Sequence, residues 1–496
     1  MATTPAQDRS FFGHPRALST LFFTEMWERF SYYGMRALLL LYMTAPVAAG
    51  GLGFDTAQGG AIYGLYTSMV YLATLPGGWI ADRLIGPRRA VLYGGIFIAA
   101  GHFSMALTSL AMFYLGLFLI VIGTGLLKGN VSVIVGKLYA TGDNRRDAGF
   151  SIFYMGINLG AFIAPLICGY LGQEIAWHYG FAAAGVGMVL GVIQYVLGGG
   201  ALGDAGVEPS PATSEERAQW RKQATIWGGL FLAIVAVVGI GGYTGAVPLT
   251  AAQVADAAGV MLIAIIVGFF GWLYMSGGWT ADERKRLYLI GVLFLAASIF
   301  WSLFEQAGST LNLFARDRTR NAVLGAEFPS SWFQSMNSMF LIIFAPVMAW
   351  VWIRLSASGK EPSTPMKFAW GLILAGLGFA ILVLPAQDET VLASPMWLTT
   401  TYFLHTIGEL VLSPVGLSAM TVLAPPRIGG LMMGVWFLAT SVGNFISGRV
   451  SGLYEAMALP SLFGTIATIG IVLGVILMLL APMMRRTLSS PASRSS

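Results

Sequence analysis

Charge is scarce in this sequence. Lysine, arginine, aspartate and glutamate make up 10% of 496 residues, against roughly 25% in soluble domains. A water-soluble globule of this size would lack polar cover and is excluded. Disorder, a collagen triple helix and a coiled coil fail on the same composition. Cysteine is scarcer still. The single Cys168 rules out an intramolecular disulfide and a cysteine-based metal cage. His14, His102, His178 and His405 are scattered, so no metal site is expected. A cleavable signal peptide is not expected either: the first apolar run starts near Leu18, is too long for one and contains charges. What remains is apolar. Hydrophobic residues reach 56% and mean hydropathy is +0.72, which points to an all-α polytopic membrane protein.

A spanning helix needs about 20 mostly apolar residues. Twelve main spans are expected at 18–46, 57–82, 89–109, 112–139, 148–173, 179–201, 287–314, 331–356, 366–386, 395–420, 429–455 and 461–484. Two more, at 224–246 and 251–275, make fourteen. A β-barrel would show short alternating segments, not continuous runs such as LFLAIVAVVGI. Arg83, Arg88 and Arg89, Arg145 and Arg146, Arg284, Lys285 and Arg286, and Arg485, Arg486 and Arg494 fall with most other bases on one side. The opposite loops hold Arg316, Arg318 and Arg320. The base-rich side is therefore read as cytoplasmic, with both termini inside. The net charge of +5 is a topology signal, and no nucleic-acid partner is expected.

The polar stretch GDAGVEPSPATSEERAQWRKQ (203–223) reads as a flexible cytoplasmic linker. It ends an N-terminal six-helix bundle, 1–202. The two additional transmembrane helices follow in 224–275, then a C-terminal six-helix bundle with a cytoplasmic tail, 276–496. Two such bundles form a transporter layout in which halves rock around a midplane site. The added pair, with few polar residues besides Gln253 and Asp256, is expected outside the substrate path.

A charge at the bilayer centre costs roughly 2.5–3.5 kcal/mol, so each deep one needs a reason. The deep acids are Glu25, Glu28, Glu305 and Glu409; the deep bases are Arg29, Arg36 and Lys128. In EMWERFSYYGMR (25–36) the residues Glu25, Glu28 and Arg29 share one helical face, which Tyr32, Tyr33 and Arg36 continue. Such a stripe lines water or protein, not lipid. A static salt-bridge staple is the plainer alternative, but it needs one or two pairs and not several turns. Lys128, among small residues in GTGLLKGNVSVIVGKLY (123–139), has Glu305 as a candidate partner from the other bundle; pairing within each bundle is the alternative. His405 precedes Glu409 by one helical turn, so a proton relay and a packing role both stand. Arg316, Asp317, Arg318 and Arg320 form either an outer gate, with Asp55 as partner, or a solvated loop.

At these residues the sequence resembles the proton-dependent oligopeptide transporter family of the major facilitator superfamily. EMWERFSYYGMR resembles the family's ExxER signature, and FYMGINLGAFIAPLICGYLG (153–172) its FYxxINxG signature. GGWIADRLIGPRR (77–89) is similar to the superfamily loop between helices two and three. That loop is assigned to gating: Gly78 for close packing, Asp82 to accept from a helix terminus, Arg83, Arg88 and Arg89 to hold the cytoplasmic face. FEQAGSTLNLF, SWFQSMNSMF, PSTPMKFAWGLI and HTIGELVLSPVGLS fit further family stretches. The chain departs at Ser338, where the family often has proline to bend the helix.

The resemblance implies a proton-coupled symporter that imports di- and tripeptides by alternating access. A peptide's carboxylate suits Arg29, Arg36 and Lys128, and its amine suits Glu409. The resemblance adds the amides of Asn158 and Asn337, with Tyr33, Tyr71 and Trp436 as an adaptable wall and Tyr32 and Tyr154 held more loosely. Glu25, Glu28, Arg29, Lys128 and Glu305 would carry the coupling proton, since carboxylates in low-dielectric surroundings are where a proton can be held. No other cofactor is implied. A monomer in the bacterial inner membrane is the expected unit. Another zwitterionic or amphiphilic cargo on the same architecture is the alternative. An intramembrane enzyme lacks a nucleophile with an adjacent base and a metal set.

Overall fold

The computed structural model describes residues 8–140, 142–246 and 250–488. Arg494 and the side chains of Arg485 and Arg486, read above as cytoplasmic bases, lie outside the described residues. Among the described residues, all fourteen expected spans are helical, built from sixteen α-helices. The first six rods are α1 (Arg16–Thr44), α2 (Thr56–Leu72) with α3 (Thr74–Ile80), α4 (Pro87–Met105), α5 (Leu110–Lys137), α6 (Arg146–Tyr170) and α7 (Trp177–Leu197). The added pair is α8 (Ser214–Thr244) and α9 (Ala251–Met275). The last six are α10 (Ala281–Phe304) with α11 (Thr310–Arg318), α12 (Ser335–Ala357), α13 (Thr364–Ala386), α14 (Pro395–Leu423), α15 (Met432–Ser451) and α16 (Leu459–Leu488).

Eleven rods are long and apolar enough to cross a membrane by length and composition, among the described residues. Of the other three, α1 falls short because Glu25, Glu28, Arg29 and Arg36 interrupt its apolar run. One element lies outside the expected all-α plan. Strands β1 (Ala322–Val323) and β2 (Ala326–Glu327) pair antiparallel across a two-residue turn. Leu324 and Gly325 both have positive φ there, 52° and 84°, the geometry of a tight hairpin.

Two rods are broken, each for a visible reason. Pro76 lacks an amide hydrogen and clashes with the carbonyl four residues back, so the chain breaks between Leu72 and Thr74. The second break follows Phe304, where residues Glu305–Gly308 form a 3₁₀ turn and Ser309 leaves helical geometry at φ −126°, ψ −101°. Gln306 satisfies groups that this break frees. Its Nε2 donates to Ser302 O at 3.1 Å, while its Oε1 accepts from Ser309 Oγ at 3.1 Å and Thr310 Oγ1 at 2.5 Å. Irregular backbone at membrane depth needs such partners. The helix containing Asn337 runs unbroken through Ser338, with Pro346 further on.

The chain divides into two compact units. One holds the residues up to Tyr42 and Met69–Val254; the other holds Met43–Ser68 and everything from Ala255 onward. In the first, Leu18, Leu21, Leu127, Val131, Ile134 and Met188 are fully buried in one apolar core. Small residues bring α6 against α1. A Cβ on Gly160 would meet the Met26 carbonyl, one on Gly156 the Phe22 ring, and one on Gly34 the Cys168 side chain. In the second unit the first half of α2 lies on α15: a Cβ on Gly60 or Gly64 would strike the backbone around Gly448, and Ser68 Oγ is 2.8 Å from Ser441 Oγ.

The 203–223 stretch differs from a flexible linker. Helix α8 already starts at Ser214, with a capping box between Thr213 and Glu216. The preceding residues are tied to the 77–89 loop. Arg88 N donates to Gly206 O at 2.8 Å, Arg88 Nη1 to Gly203 O at 2.6 Å, Arg88 Nη2 to Gly199 O, and Ser210 N to Asp82 O at 2.7 Å. Asp82 thus accepts through its backbone. Gly77, not Gly78, makes the close packing, since a Cβ there would meet Gly125 while Gly78 has open space.

Candidate functional site

The charged stripe of α1 is buried in the first unit. Glu25, Glu28, Arg29 and Arg36 are each at most 4% exposed. One guanidinium nitrogen serves both acids: Arg29 Nε lies 2.8 Å from Glu25 Oε1 and 2.7 Å from Glu28 Oε2. Glu25 Oε2, both Glu28 oxygens and Arg29 Nη2 make no hydrogen bond among the described residues. A buried polar atom left so costs about 1–3 kcal/mol. This cluster therefore retains hydrogen-bonding capacity that a proton or ligand would satisfy.

Further along the same face the bases meet aromatic rings. Lys128 Nζ stands 3.6 Å from the Tyr71 ring centroid and 5.9 Å from that of Tyr32. Arg29 also faces Tyr32, at 5.9 Å, and Arg36 faces Tyr33, at 5.8 Å. A cation over an aromatic face gains about 2 kcal/mol when desolvated. Tyr71, expected as wall, is thus a seat for the lysine, and Tyr32 touches two bases. Asn158 is buried with its Nδ2 donating to Tyr154 O at 3.0 Å. Gly160, two residues further on, is what lets this helix reach the Arg29 stem, 3.1 Å from where its Cβ would stand. That contact was legible only as a glycine in a small-residue run.

The second unit holds the other expected residues. Asn337 Nδ2 donates to Glu409 Oε2 and to Thr406 Oγ1, both at 3.0 Å. Thr406 escaped the sequence reading, although it lies three residues before Glu409 on the same helical face. Trp436 is buried, edge-on to Trp301 at 6.3 Å. Glu305 is 3% exposed and opens the 3₁₀ turn between α10 and α11. His405 does not pair with Glu409. Its Nε2 donates to Ala375 O at 3.0 Å and its ring lies near Phe304 and Phe379, a packing role.

Asp55, the candidate partner in the outer-gate alternative, bonds elsewhere. Asp55 Oδ1 accepts from Gln58 N at 2.6 Å at the start of α2. Arg316 instead binds Asp317, at 2.5 and 3.0 Å, and donates to Thr44 Oγ1 at 2.7 Å. Arg318 donates to Asp388 O at 2.9 Å. A short acid at a helix start is drawn to the free amides there, which explains the exchange. Among the described residues, no three His, Cys, Asp or Glu side chains gather as a metal site.

A family model described as the POT family matches residues 88–472. The chain is 41% identical to the peptide transporter YePEPT of Yersinia enterocolitica subsp. palearctica serotype O:3 (strain YE-P4), covering 99% of this chain and 98% of the relative. It is 38% identical to the di-/tripeptide transporter of Lactococcus lactis subsp. cremoris, over 95% of this chain and 96% of that one. Its fold is similar to a crystal structure of peptide transporter POT in complex with sulfate, with TM-score 0.91, 43% identity and 98% of each chain covered.

Proposed function

The chain belongs to the POT family of membrane transporters, and from that premise we propose that it is a proton-coupled symporter importing di- and tripeptides. It would work by alternating access, as a monomer in the bacterial inner membrane, with both termini cytoplasmic. The observation that carries this reading is the buried Glu25–Arg29–Glu28 group with its unused hydrogen-bonding capacity. The relatives named as peptide transporters support the substrate class.

In this mechanism Arg29, Arg36 and Lys128 receive the peptide carboxylate, Arg by its fork and Lys as a point charge. Glu409 receives the amine, and Asn158 and Asn337 serve the amides. Tyr33, Tyr71 and Trp436 bound the side-chain space. The proton enters through carboxylates: Glu25 and Glu28 beside Arg29, and Glu305, whose protonation would weaken its hold on Lys128 and free that base for substrate. Differential contacts with cargo in two states would then draw the halves together. An inward charge gains about 2.3 kcal/mol per 100 mV of membrane potential.

Purified protein in vesicles given an inward proton step tests this. Labelled dipeptide should accumulate above its outside concentration, intact, with competition by dipeptides and not by free amino acids. Equilibration without accumulation would indicate a passive pathway. Competition by unrelated zwitterions and not by dipeptides would give the site to another cargo.

A further inference from the structure

The α8–α9 hairpin has no role in the mechanism above, yet its two arms are fastened differently. Helix α8 belongs to the first unit, and all but the first turn of α9 belongs to the second. Each arm has specific attachments within its own unit. On α8, Trp220 covers the Arg83 guanidinium at 5.0 Å, with Trp79 also near it at 5.6 Å. Phe231 of α8 stacks on Phe118 of α5 at 6.1 Å and 19°. Arg83 lies in the 77–89 loop, the segment that also binds the approach to α8 through Arg88 and Asp82.

On α9, Asp256 Oδ1 bonds Arg449 Nη2 of α15 at 2.8 Å, and a Cβ on Gly259 would meet the Phe445 ring one turn away. Further down, Phe270 packs on Phe294 of α10 at 5.0 Å, and Tyr274 Oη donates to Leu287 O at 3.4 Å. Arg449 follows Gly448, the residue against which Gly60 and Gly64 of α2 pack. Lipid filler needs none of this. Asp256 and Arg449 lie near the ends of α9 and α15, with side chains 59% and 43% exposed, and tie the two helices together there.

We infer that the α8–α9 hairpin is a tether with one arm fixed to each unit, anchored by Arg83–Trp220 and Asp256–Arg449, that limits their relative excursion during transport. The inference rests on the alternating-access reading. A tether acts through the chain that joins its arms: it confines the motion of what it links without contributing to the ligand site. It therefore sets the rate of the conformational step and leaves peptide affinity unchanged.

The test cuts the tether after folding. A protease site is inserted after Gly245, and the full-length protein is purified, reconstituted and then cleaved. Vmax of dipeptide uptake should fall about fivefold or more, with peptide Kd unchanged. A cleaved protein that keeps Vmax within about twofold, or that loses binding together with rate, overturns the tether. A second readout needs no substrate, so failure of the peptide reading leaves it intact. Spin labels at Thr108→Cys in the first unit and Glu389→Cys in the second should give a broader distance distribution after cleavage; an unchanged width overturns the proposal. Asp256→Arg and Arg449→Asp should each slow uptake and the double exchange should restore it; a double variant as slow as either single one removes this anchor.

Discussion

Arg29 shows how much one side chain settles. A single nitrogen held between two carboxylates fixes the rotamers of Glu25 and Glu28, an arrangement that a lysine's compact ammonium cannot copy. The stem of Arg29 is located in turn by Gly160. Gly160→Ala places a methyl against the Met26 carbonyl and pushes α6 away from α1. Overpacking of this kind costs about 1–3 kcal/mol, so the detergent-solubilised variant should melt several degrees lower. Gly239→Ala in α8, where nothing lies within 4 Å, should leave the melting temperature unchanged or raise it, because mid-helix alanine is favoured over glycine. Equal behaviour of the two variants would refute the close-approach argument.

Among elements, the segment leading into α1 is fastened by a histidine outside the helices. His14 is buried, its Nδ1 2.9 Å from Tyr139 Oη, while Arg145 donates to Gly13 O at 3.4 Å. Burial, and then the Arg145 charge, hold the imidazole below its ordinary value, with Asp143 opposing; burial pushes the Tyr139 phenol up to about 12. The docked segment thus binds fewer protons than the released one. Docking is fully favourable above the ordinary histidine value of about 6.5 and is lost progressively as pH falls below it. Amide exchange over residues 8–15, corrected for intrinsic rates, should be faster at pH 5.5 than at 7.5, and His14→Gln should remove the difference. Equal protection at both pH values in the unmodified protein would refute it. The break after Phe304 is the other decisive element, because it places Glu305 at the start of the 3₁₀ turn and seats the Gln306 side chain on the freed groups.

For the whole molecule, Glu305 is the test of proton coupling. Glu305→Gln keeps the shape of the side chain and removes its charge. Accumulation of dipeptide under a proton step should disappear, while exchange of labelled for unlabelled dipeptide at equal pH persists, since exchange needs no net proton movement. Normal uphill uptake by this variant would remove Glu305 from the coupling path. Loss of exchange as well would assign it to binding or folding instead. The fourteen rods and the buried stripe were legible in advance because insertion into hydrocarbon is decided over about 20 consecutive residues, and a charge within such a run stands out. The seat of Lys128 on Tyr71 was not, since residues 57 apart are matched by packing and carry no spacing signal.

By itself the sequence determined the membrane class, the helices and the deep charges of α1, α5, α10 and α14, because each follows from the transfer cost of a local segment. Only the tertiary structure decided that Gly77 and not Gly78 makes the close approach, that Arg316 takes Asp317 and Thr44 in place of Asp55, that the 203–213 stretch is bound to the Arg88 loop, and that the arms of α8–α9 fall to different units. These are contests among chemically similar candidates far apart along the chain. They are won by backbone approach and side-chain geometry, which exist only once the helices have packed.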